Sequence, residues 1–304
     1  MTTATIKRMG LTEWLLLTTL SIIWGGSFFF NAVALRDFPP LVVVWGRVFI
    51  GFLGLTAIVA LTNQNVRSHL HRWRQFLTLG ILNTFIPFNL IVWGQQYIDS
   101  GLAAVINATT PAFTILVAHF VTNDESASMR KFSGAIIGLG GVATLIGTDA
   151  LTGFGDHVLG QLAIMGAACS YAFGSTYARR MTGISPMVIA CGQLAGSSLV
   201  MTPVMFFICR PWTLPMPGSD AIFAVIGLGL VCSTLAYLIF FRILTSSGAT
   251  NISLVTLLIP VSASGLGITF LNEPFTWRLA TGMVIICLAA ALIDGRIKLR
   301  RRFA

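Results

Sequence analysis

Charged residues are scarce in this chain, and their scarcity excludes most classes of soluble protein. Asp, Glu, Lys and Arg together make up 10% of the 304 residues, whereas soluble domains carry about 25%. Hydrophobic residues make up 55% of the chain, which is more than a soluble core of this size needs. The composition therefore predicts an integral membrane protein that crosses the bilayer several times.

Cysteine motifs and catalytic motifs are also lacking. The five cysteines are single residues inside apolar runs, so we expect neither a disulfide framework nor a metal site. The chain has no HExxH, no GxSxG, and no histidine cluster or paired carboxylates within an apolar segment. These absences argue against a membrane-embedded enzyme, and we expect no cofactor.

Apolar runs long enough to cross a bilayer occur ten times, joined by short connections. Each approaches the roughly 20 residues that a transmembrane helix requires. The Ala32-Val33-Ala34 triplet resembles a signal-peptidase site, but the run before it is longer than a typical signal peptide core. The predicted fold is an all-α integral membrane protein with ten transmembrane helices, at residues 11–34, 40–62, 75–97, 101–122, 132–148, 159–179, 185–208, 219–243, 249–271 and 276–293.

Basic residues are distributed unequally between the two predicted sides of the membrane. Of the 19 Lys and Arg residues, Arg36, Arg210 and Arg278 fall on one side, Arg47 lies inside a segment, and the other 15 fall on the opposite side. Because cytoplasmic loops are rich in Lys and Arg, both termini are predicted to face the cytoplasm of a bacterial-type inner membrane. The net charge of +9 therefore reflects topology, and we expect no nucleic-acid binding.

The sequence repeats itself at an offset of 146 to 149 residues. Ser100-Gly101 recurs as Ser247-Gly248, and Pro111 recurs as Pro260. Each copy, residues 11–148 and residues 159–295, holds five predicted helices, and an odd number of spans makes the second copy start on the opposite side. Inverted repeats of this kind build many secondary transporters, with the substrate held between the copies. We therefore expect two inverted five-helix repeats around a central cavity.

A set of short motifs, in order and duplicated, carries a resemblance to a known family. The set comprises Trp24-Gly25-Gly26-Ser27, Arg47, Pro111, Glu125 before Gly134, Pro260-Val261, Asn272-Glu273 and Gly282. It resembles the EamA-type drug/metabolite transporter superfamily over residues 11–295, and within it the YddG-like exporters of amino acids, including aromatic ones. The second copy departs from the pattern at Tyr171-Ala172-Phe173-Gly174 and at Gln193. The resemblance implies a secondary transporter with two functionally unequal halves.

The polar residues at membrane depth are almost all neutral. Arg47 is the only charge well inside a predicted span, and it either pairs with a substrate carboxylate or has a snorkelling or structural role. Amides and hydroxyls at this depth must face protein or water, so they either line the cavity or join helices. The candidate substrate contacts are Trp24, Asn31, Arg47, Asn83, Asn89, Trp93, Gln96, Tyr171, Ser175 and Tyr237.

These candidates suit a zwitterion with an apolar side chain, and the sequence predicts alternating-access export or facilitated movement of amino acids and related metabolites. The alternative is a proton-coupled exporter of drugs or toxic metabolites, although no acidic residue lies at a predicted bilayer centre. Pro111 and Pro260 are candidate hinges. Glu125 and Glu273 are candidate gates, or simple caps of helix N-termini. The expected partners are the small-molecule substrate and the lipid bilayer, and a monomer suffices for this architecture.

Overall fold

The computed structural model describes residues 9–62, 64, 66–121, 129–146 and 155–293, and every regular element in that part is helical. Short 3-10 turns occur in two connections, at Arg67–Arg72 and Pro211–Thr213. The α-helices are α1 (Leu11–Ala34), α2 (Pro40–Leu61), α3 (Trp73–Gly80), α4 (Ile86–Gly94), α5 (Ser100–Asn107), α6 (Thr110–Val121), α7 (Met129–Ile146), α8 (Asp156–Ala178), α9 (Pro186–Cys209), α10 (Ser219–Gly229), α11 (Ala236–Ser247), α12 (Ala249–Ile252), α13 (Val255–Leu271) and α14 (Trp277–Ile293).

Seven helical stretches of the described chain are long and apolar enough to cross a bilayer. Three more apolar helices are shorter, at Phe132–Leu145, Val255–Leu271 and Trp277–Ile293. The protein is therefore a multi-pass membrane protein. All ten stretches overlap the segments expected from the sequence, although the third helical stretch ends at Gly94 and the eighth continues to Ser247.

Two of the long stretches change their helical form near the middle. A π-helical segment, Ile81–Phe85, joins α3 to α4, and a second, Leu230–Leu235, joins α10 to α11. Ser233 Oγ donates to Leu228 O at 3.0 Å and Thr234 Oγ1 donates to Gly229 O at 3.1 Å, so hydroxyls bind carbonyls five residues back. Such π-helical segments often occur at functional sites.

Pro111 and Pro260, the two candidate hinges, differ in local structure. The helix is interrupted at Ala108 and Thr109, just before Pro111, and Thr110 Oγ1 donates to Asn107 O at 2.7 Å. That bond uses the carbonyl that the missing proline N–H would have contacted. Pro260 instead lies inside α13, and the nearest interruption is at Ser253 and Leu254. The helix breaks therefore do not fall at matching places around the two prolines.

Helices from the first half of the sequence pack closely on helices from the second half. Extensive contacts join α1 to α13, α2 to α9, α4 to α8, and α7 to α14. Small residues permit these approaches. At Gly80, a Cβ atom would lie 2.5 Å from Gln193 O and 2.8 Å from Ser197 N, so the backbones of α3 and α9 are in direct contact there.

Connections also contact each other in pairs. Asp37 Oδ2 accepts a hydrogen bond from Gly218 N at 2.8 Å, which joins the α1–α2 connection to the α9–α10 connection. Arg72 Nη1 donates to Thr182 O at 3.2 Å, which joins the α2–α3 connection to the α8–α9 connection. Each pair consists of connections that the charge distribution assigns to the same side of the membrane.

We expect Gly80→Ala to lower the free energy of unfolding by about 1–3 kcal/mol, because the added methyl group meets backbone atoms of α9 that cannot move independently. The control is Gly140→Ala, since nothing lies within 4 Å of a Cβ atom at that position. Thermal unfolding in detergent should show a lower midpoint for the first variant alone. Equal midpoints for the two variants would contradict close backbone packing at Gly80.

Candidate functional site

Arg47 is a buried cation, with 7% of its surface exposed, on a helix whose neighbouring valines are fully buried. Helix α2 begins at Pro40, where the fixed proline φ and missing N–H are tolerated, and it carries Arg47 two turns into the bundle. The guanidinium carbon lies 3.9 Å from the centroid of the Phe88 ring. Arg47 Nε is buried and has no hydrogen-bond partner, and no ion pair with Arg47 occurs among the described residues.

Two tyrosines from the other end of the sequence lie near Arg47. Tyr171 on α8 and Tyr237 on α11 are within electrostatic range of the guanidinium and pack in the same apolar cluster as Phe88. The Tyr237 ring stacks on Phe241 with centroids 5.8 Å apart. The surroundings of Arg47 are therefore aromatic faces and phenol hydroxyls, and the described residues supply no carboxylate there.

Gln193 connects these tyrosines to the first π-helical segment. Its side chain is 3% exposed, its Nε2 donates to Tyr237 Oη, and its Oε1 accepts from Asn83 Nδ2 at 3.3 Å. The sequence comparison of the two copies identified Gln193 only as the residue in place of an arginine. Its spacing of 146 residues from Arg47 was the one signal that could have marked it as part of the site.

The structure brings together four of the ten candidate contacts: Arg47, Asn83, Tyr171 and Tyr237. Asn89 is close by on α4. Its Nδ2 donates to Phe85 O at 2.7 Å and lies 3.6 Å from Met201 Sδ, while its buried Oδ1 has no partner within the described ranges. Phe85 and Phe88 pack with both tyrosines in one apolar cluster. Together these side chains form the Arg47 site.

The other five candidates lie elsewhere. Trp24 packs on Phe240 with ring centroids 5.6 Å apart. Asn31 is buried and donates to Gln95 Oε1 at 2.9 Å, and Gln95 in turn donates to Phe28 O.

Trp93, Gln96 and Ser175 are exposed side chains of the described chain. Trp93 contacts Tyr97 edge to face at 5.0 Å, and Ser175 Oγ donates to Ala172 O at 3.0 Å. Asn89, Trp93 and Gln96 follow one another at helical spacing, but of the three only Asn89 is partly buried. Trp93 lies in the last turn of α4 and Gln96 lies beyond the end of that helix at Gly94, so the helical spacing no longer applies to Gln96.

Glu273 binds the start of α5 across the bundle. Its Oε1 accepts from Ser100 N at 2.7 Å and its Oε2 accepts from Gly101 N at 3.0 Å. A carboxylate in this position satisfies two free N–H groups and lies at the positive end of the helix. The helix it caps is on the other copy, so Glu273 links the two halves. Glu125 lies outside the described residues.

Two further titratable groups surround this contact. Partial burial raises the pKa of Asp99, the negative charge of Glu273 raises it further, and His157 acts in the opposite direction. In the described part of the chain, no group of three or more His, Cys, Asp or Glu residues could hold a metal ion.

Comparisons with known proteins agree with a transporter fold. The profile of the EamA-like transporter family matches residues 11–147 and again residues 158–294. The uncharacterized transporter YvbV of Bacillus subtilis is 30% identical over 95% of this chain and 94% of its own length. The uncharacterized inner membrane transporter YedA of Escherichia coli is 27% identical over 88% of this chain and 87% of its own. A solved crystal structure with 20% identity superposes with a TM-score of 0.64, covering 92% of this chain and 96% of that one, so the two share a fold.

We expect Glu273→Ala to lower the free energy of unfolding by about 1–2 kcal/mol, because two backbone N–H groups of α5 lose their acceptor. Glu13→Ala is the matched control, since Glu13 Oε2 also accepts a backbone N–H, from Gly10 at 2.9 Å, but at an exposed position of its own helix. Unfolding midpoints in detergent measure both. If Glu273→Ala lowered the unfolding midpoint no more than Glu13→Ala does, this would contradict the role of Glu273 in linking the two halves.

We expect Asp99→Asn to stabilise the protein at neutral pH and to lose that advantage in acid. A carboxyl whose folded pKa is raised contributes stability below its ordinary pKa, and that contribution is lost as the pH rises through the folded value. The measurement is the unfolding midpoint of both proteins between pH 4 and neutral, because their difference isolates Asp99. In a Glu273→Gln background, the difference between the two unfolding midpoints should be smaller. A difference between the midpoints that does not change with pH would contradict the raised pKa of Asp99.

Proposed function

Because this chain belongs to the EamA-like transporter family, we propose that it moves amino acids with apolar or aromatic side chains across the inner membrane. It acts by alternating access and exports its substrate, as the YddG-like exporters that its motifs resemble do. The single observation that carries the substrate class is the buried Arg47 guanidinium, which has no counter-ion among the described residues.

A buried charge without a partner is costly, so a protein that keeps one has a use for it. The contact of Arg47 with the Phe88 ring offsets part of that cost, by about 2 kcal/mol for a desolvated pair. A carboxylate offers the bidentate acceptor that a guanidinium binds best. The amino-acid carboxylate is therefore the missing partner of Arg47.

The rest of the Arg47 site suits the other groups of such a substrate. Asn89 Oδ1 is a buried acceptor with no partner in the described chain, and it would take an ammonium hydrogen. The rings of Phe85, Phe88 and Tyr171 would contact an apolar or aromatic side chain. Trp24, Asn31, Trp93, Gln96 and Ser175 remain candidate contacts along the route that the substrate follows.

Matched contacts support the arrangement as two inverted five-helix halves. The packing of α1 on α13 has its counterpart in α8 on α6, and that of α3 on α9 has its counterpart in α10 on α2. The π-helical segments begin at Ile81 and Leu230, which are 149 residues apart. The contact of Asp37 with Gly218 is matched by that of Arg72 with Thr182, between connections at the other expected side.

Charge distribution supports the proposed membrane orientation and limits the substrate. Both termini would face the cytoplasm because the connections on that side carry most of the Lys and Arg. One buried arginine is too few for a phosphorylated substrate. A lipophilic cation would need a carboxylate at depth, but the described acidic residues lie at helix ends or in connections. These points favour amino acids over the alternative of a proton-coupled drug exporter.

We expect Arg47→Met to reduce flux of L-phenylalanine into proteoliposomes at least tenfold, because the carboxylate loses its charged partner. Arg242→Gln is the control, since Arg242 is an exposed arginine of α11. Wild-type protein should prefer L-phenylalanine to L-phenylalaninamide, which lacks the carboxylate, and Arg47→Met should lose this preference. Size-exclusion chromatography verifies folding, which methionine preserves because it keeps much of the side-chain volume in an apolar site.

Retention of the preference for the carboxylate in Arg47→Met would contradict the role of Arg47. Equal wild-type flux of the acid and the amide would contradict the substrate class. Imposing a proton gradient in the same vesicles separates facilitated movement from proton-coupled export, since only the latter changes its rate with the gradient.

A further inference from the structure

A groove of about 320 Å³ opens between α1, α10 and α13, and none of its lining residues belongs to the Arg47 site. Four of its nine lining residues are phenylalanines: Phe29, Phe30, Phe223 and Phe270. Phe223 is 69% exposed and Phe270 is 63% exposed, so the protein itself does not cover this surface. The volume is at the lower end of the range for small-molecule and cofactor sites.

One end of the groove carries two opposite charges. Arg36 follows the last turn of α1 and Asp220 lies in the first turn of α10, and both line the groove. No ion pair joins Arg36 to Asp220 or to any other residue in the described part of the chain, and the only hydrogen bond to the Asp220 carboxylate is a long one from Ser219 Oγ at 3.4 Å. The two charges therefore face the same opening without neutralising each other.

A hydrogen bond beside Arg36 and Asp220 holds together the helix ends that carry them. Asp37, which follows Arg36, accepts from Gly218 N, two residues before Asp220. The bond holds the end of α1 beside the start of α10. Because these are helix ends next to connections, the charged end of the groove lies at the membrane–water interface while its aromatic part extends toward the hydrocarbon.

We propose that this groove binds a phospholipid whose headgroup carries a phosphate and a primary ammonium, of the phosphatidylethanolamine type. Arg36 binds the phosphate, Asp220 accepts hydrogen bonds from the ammonium, and the phenylalanine walls hold an acyl chain. An apolar helix face alone would contact any annular lipid equally. The unpaired cation and anion at one end of the groove match the phosphate and the ammonium of a zwitterionic headgroup. This match is the reason for choosing such a lipid as the occupant.

The test is photo-crosslinking of purified, delipidated protein with a phosphatidylethanolamine that carries a diazirine on its acyl chain. Crosslinked peptides are identified by mass spectrometry and should contain Phe223 or Phe270. Unlabelled phosphatidylethanolamine should compete about fivefold better than phosphatidylcholine, which has no N–H donors, or phosphatidylglycerol, which has no ammonium.

Arg36→Gln should weaken labelling by phosphatidylethanolamine about fivefold, the effect expected for one basic residue at a membrane surface. Asp220→Asn should remove the preference over phosphatidylglycerol. Arg210→Gln and Asp156→Asn are the controls, because both change an exposed charge on the same expected side without lining the groove. Both controls should label as wild type does.

Equal competition by the three lipids, or labelling that is unchanged in Arg36→Gln and Asp220→Asn, would mean annular lipid only and would overturn the proposal. Crosslinks spread over all apolar helix faces would do the same. Because the assay measures binding without transport, its failure would leave the proposed transport function standing, and failure of the flux experiment would leave the lipid site standing.

Discussion

A positive charge buried in the bundle without a counter-ion is the constraint on which the account of this protein depends. Arg47 is almost fully buried against Phe88, and its Nε has no partner among the described residues. Burying a guanidinium in this way costs several kcal/mol unless an anion arrives. The cost makes the empty site unfavourable and gives a carboxylate more binding energy than any neutral group would gain. Under the proposed function, selectivity then follows from charge, and the aromatic walls add a preference for apolar side chains.

The two halves meet this constraint in different ways. Gln193 occupies in the second half the place that Arg47 has in the first, and its amide oxygen and nitrogen each have a partner, Asn83 and Tyr237. A neutral amide needs no counter-ion, so only one half presents a charge. The halves are otherwise tightly joined, by backbone contact at Gly80 and by the Glu273 carboxylate at the start of α5. A transport cycle must break such contacts at one end of the bundle while others hold.

Much of the fold could be predicted from the sequence, because hydrocarbon admits few alternatives to apolar helices. The positions of the helices and the placement of Arg47 followed from hydropathy and from the rarity of charge. The π-helical segments could not be predicted, since residues 81–85 read as an ordinary apolar run. Gln96 does not share the environment of Asn89 because α4 ends at Gly94, before the spacing that would align them is complete. The role of Gln193 was missed because a single buried amide resembles a simple packing contact until its partners are known.

The most direct measurement of the central claim is the distance between the substrate carboxylate and the Arg47 guanidinium. Solid-state NMR can measure dipolar coupling between a ¹³C-carboxyl amino acid and ¹⁵N-guanidinium arginine in reconstituted protein, with Arg47→Met identifying the signal. Recognition of the carboxylate by Arg47 predicts a strong coupling from a charge-assisted contact, with nitrogen and oxygen about 2.8 Å apart, that disappears in the variant. A bound amino acid whose carboxylate shows no coupling to any arginine, or an unchanged coupling in Arg47→Met, would contradict it.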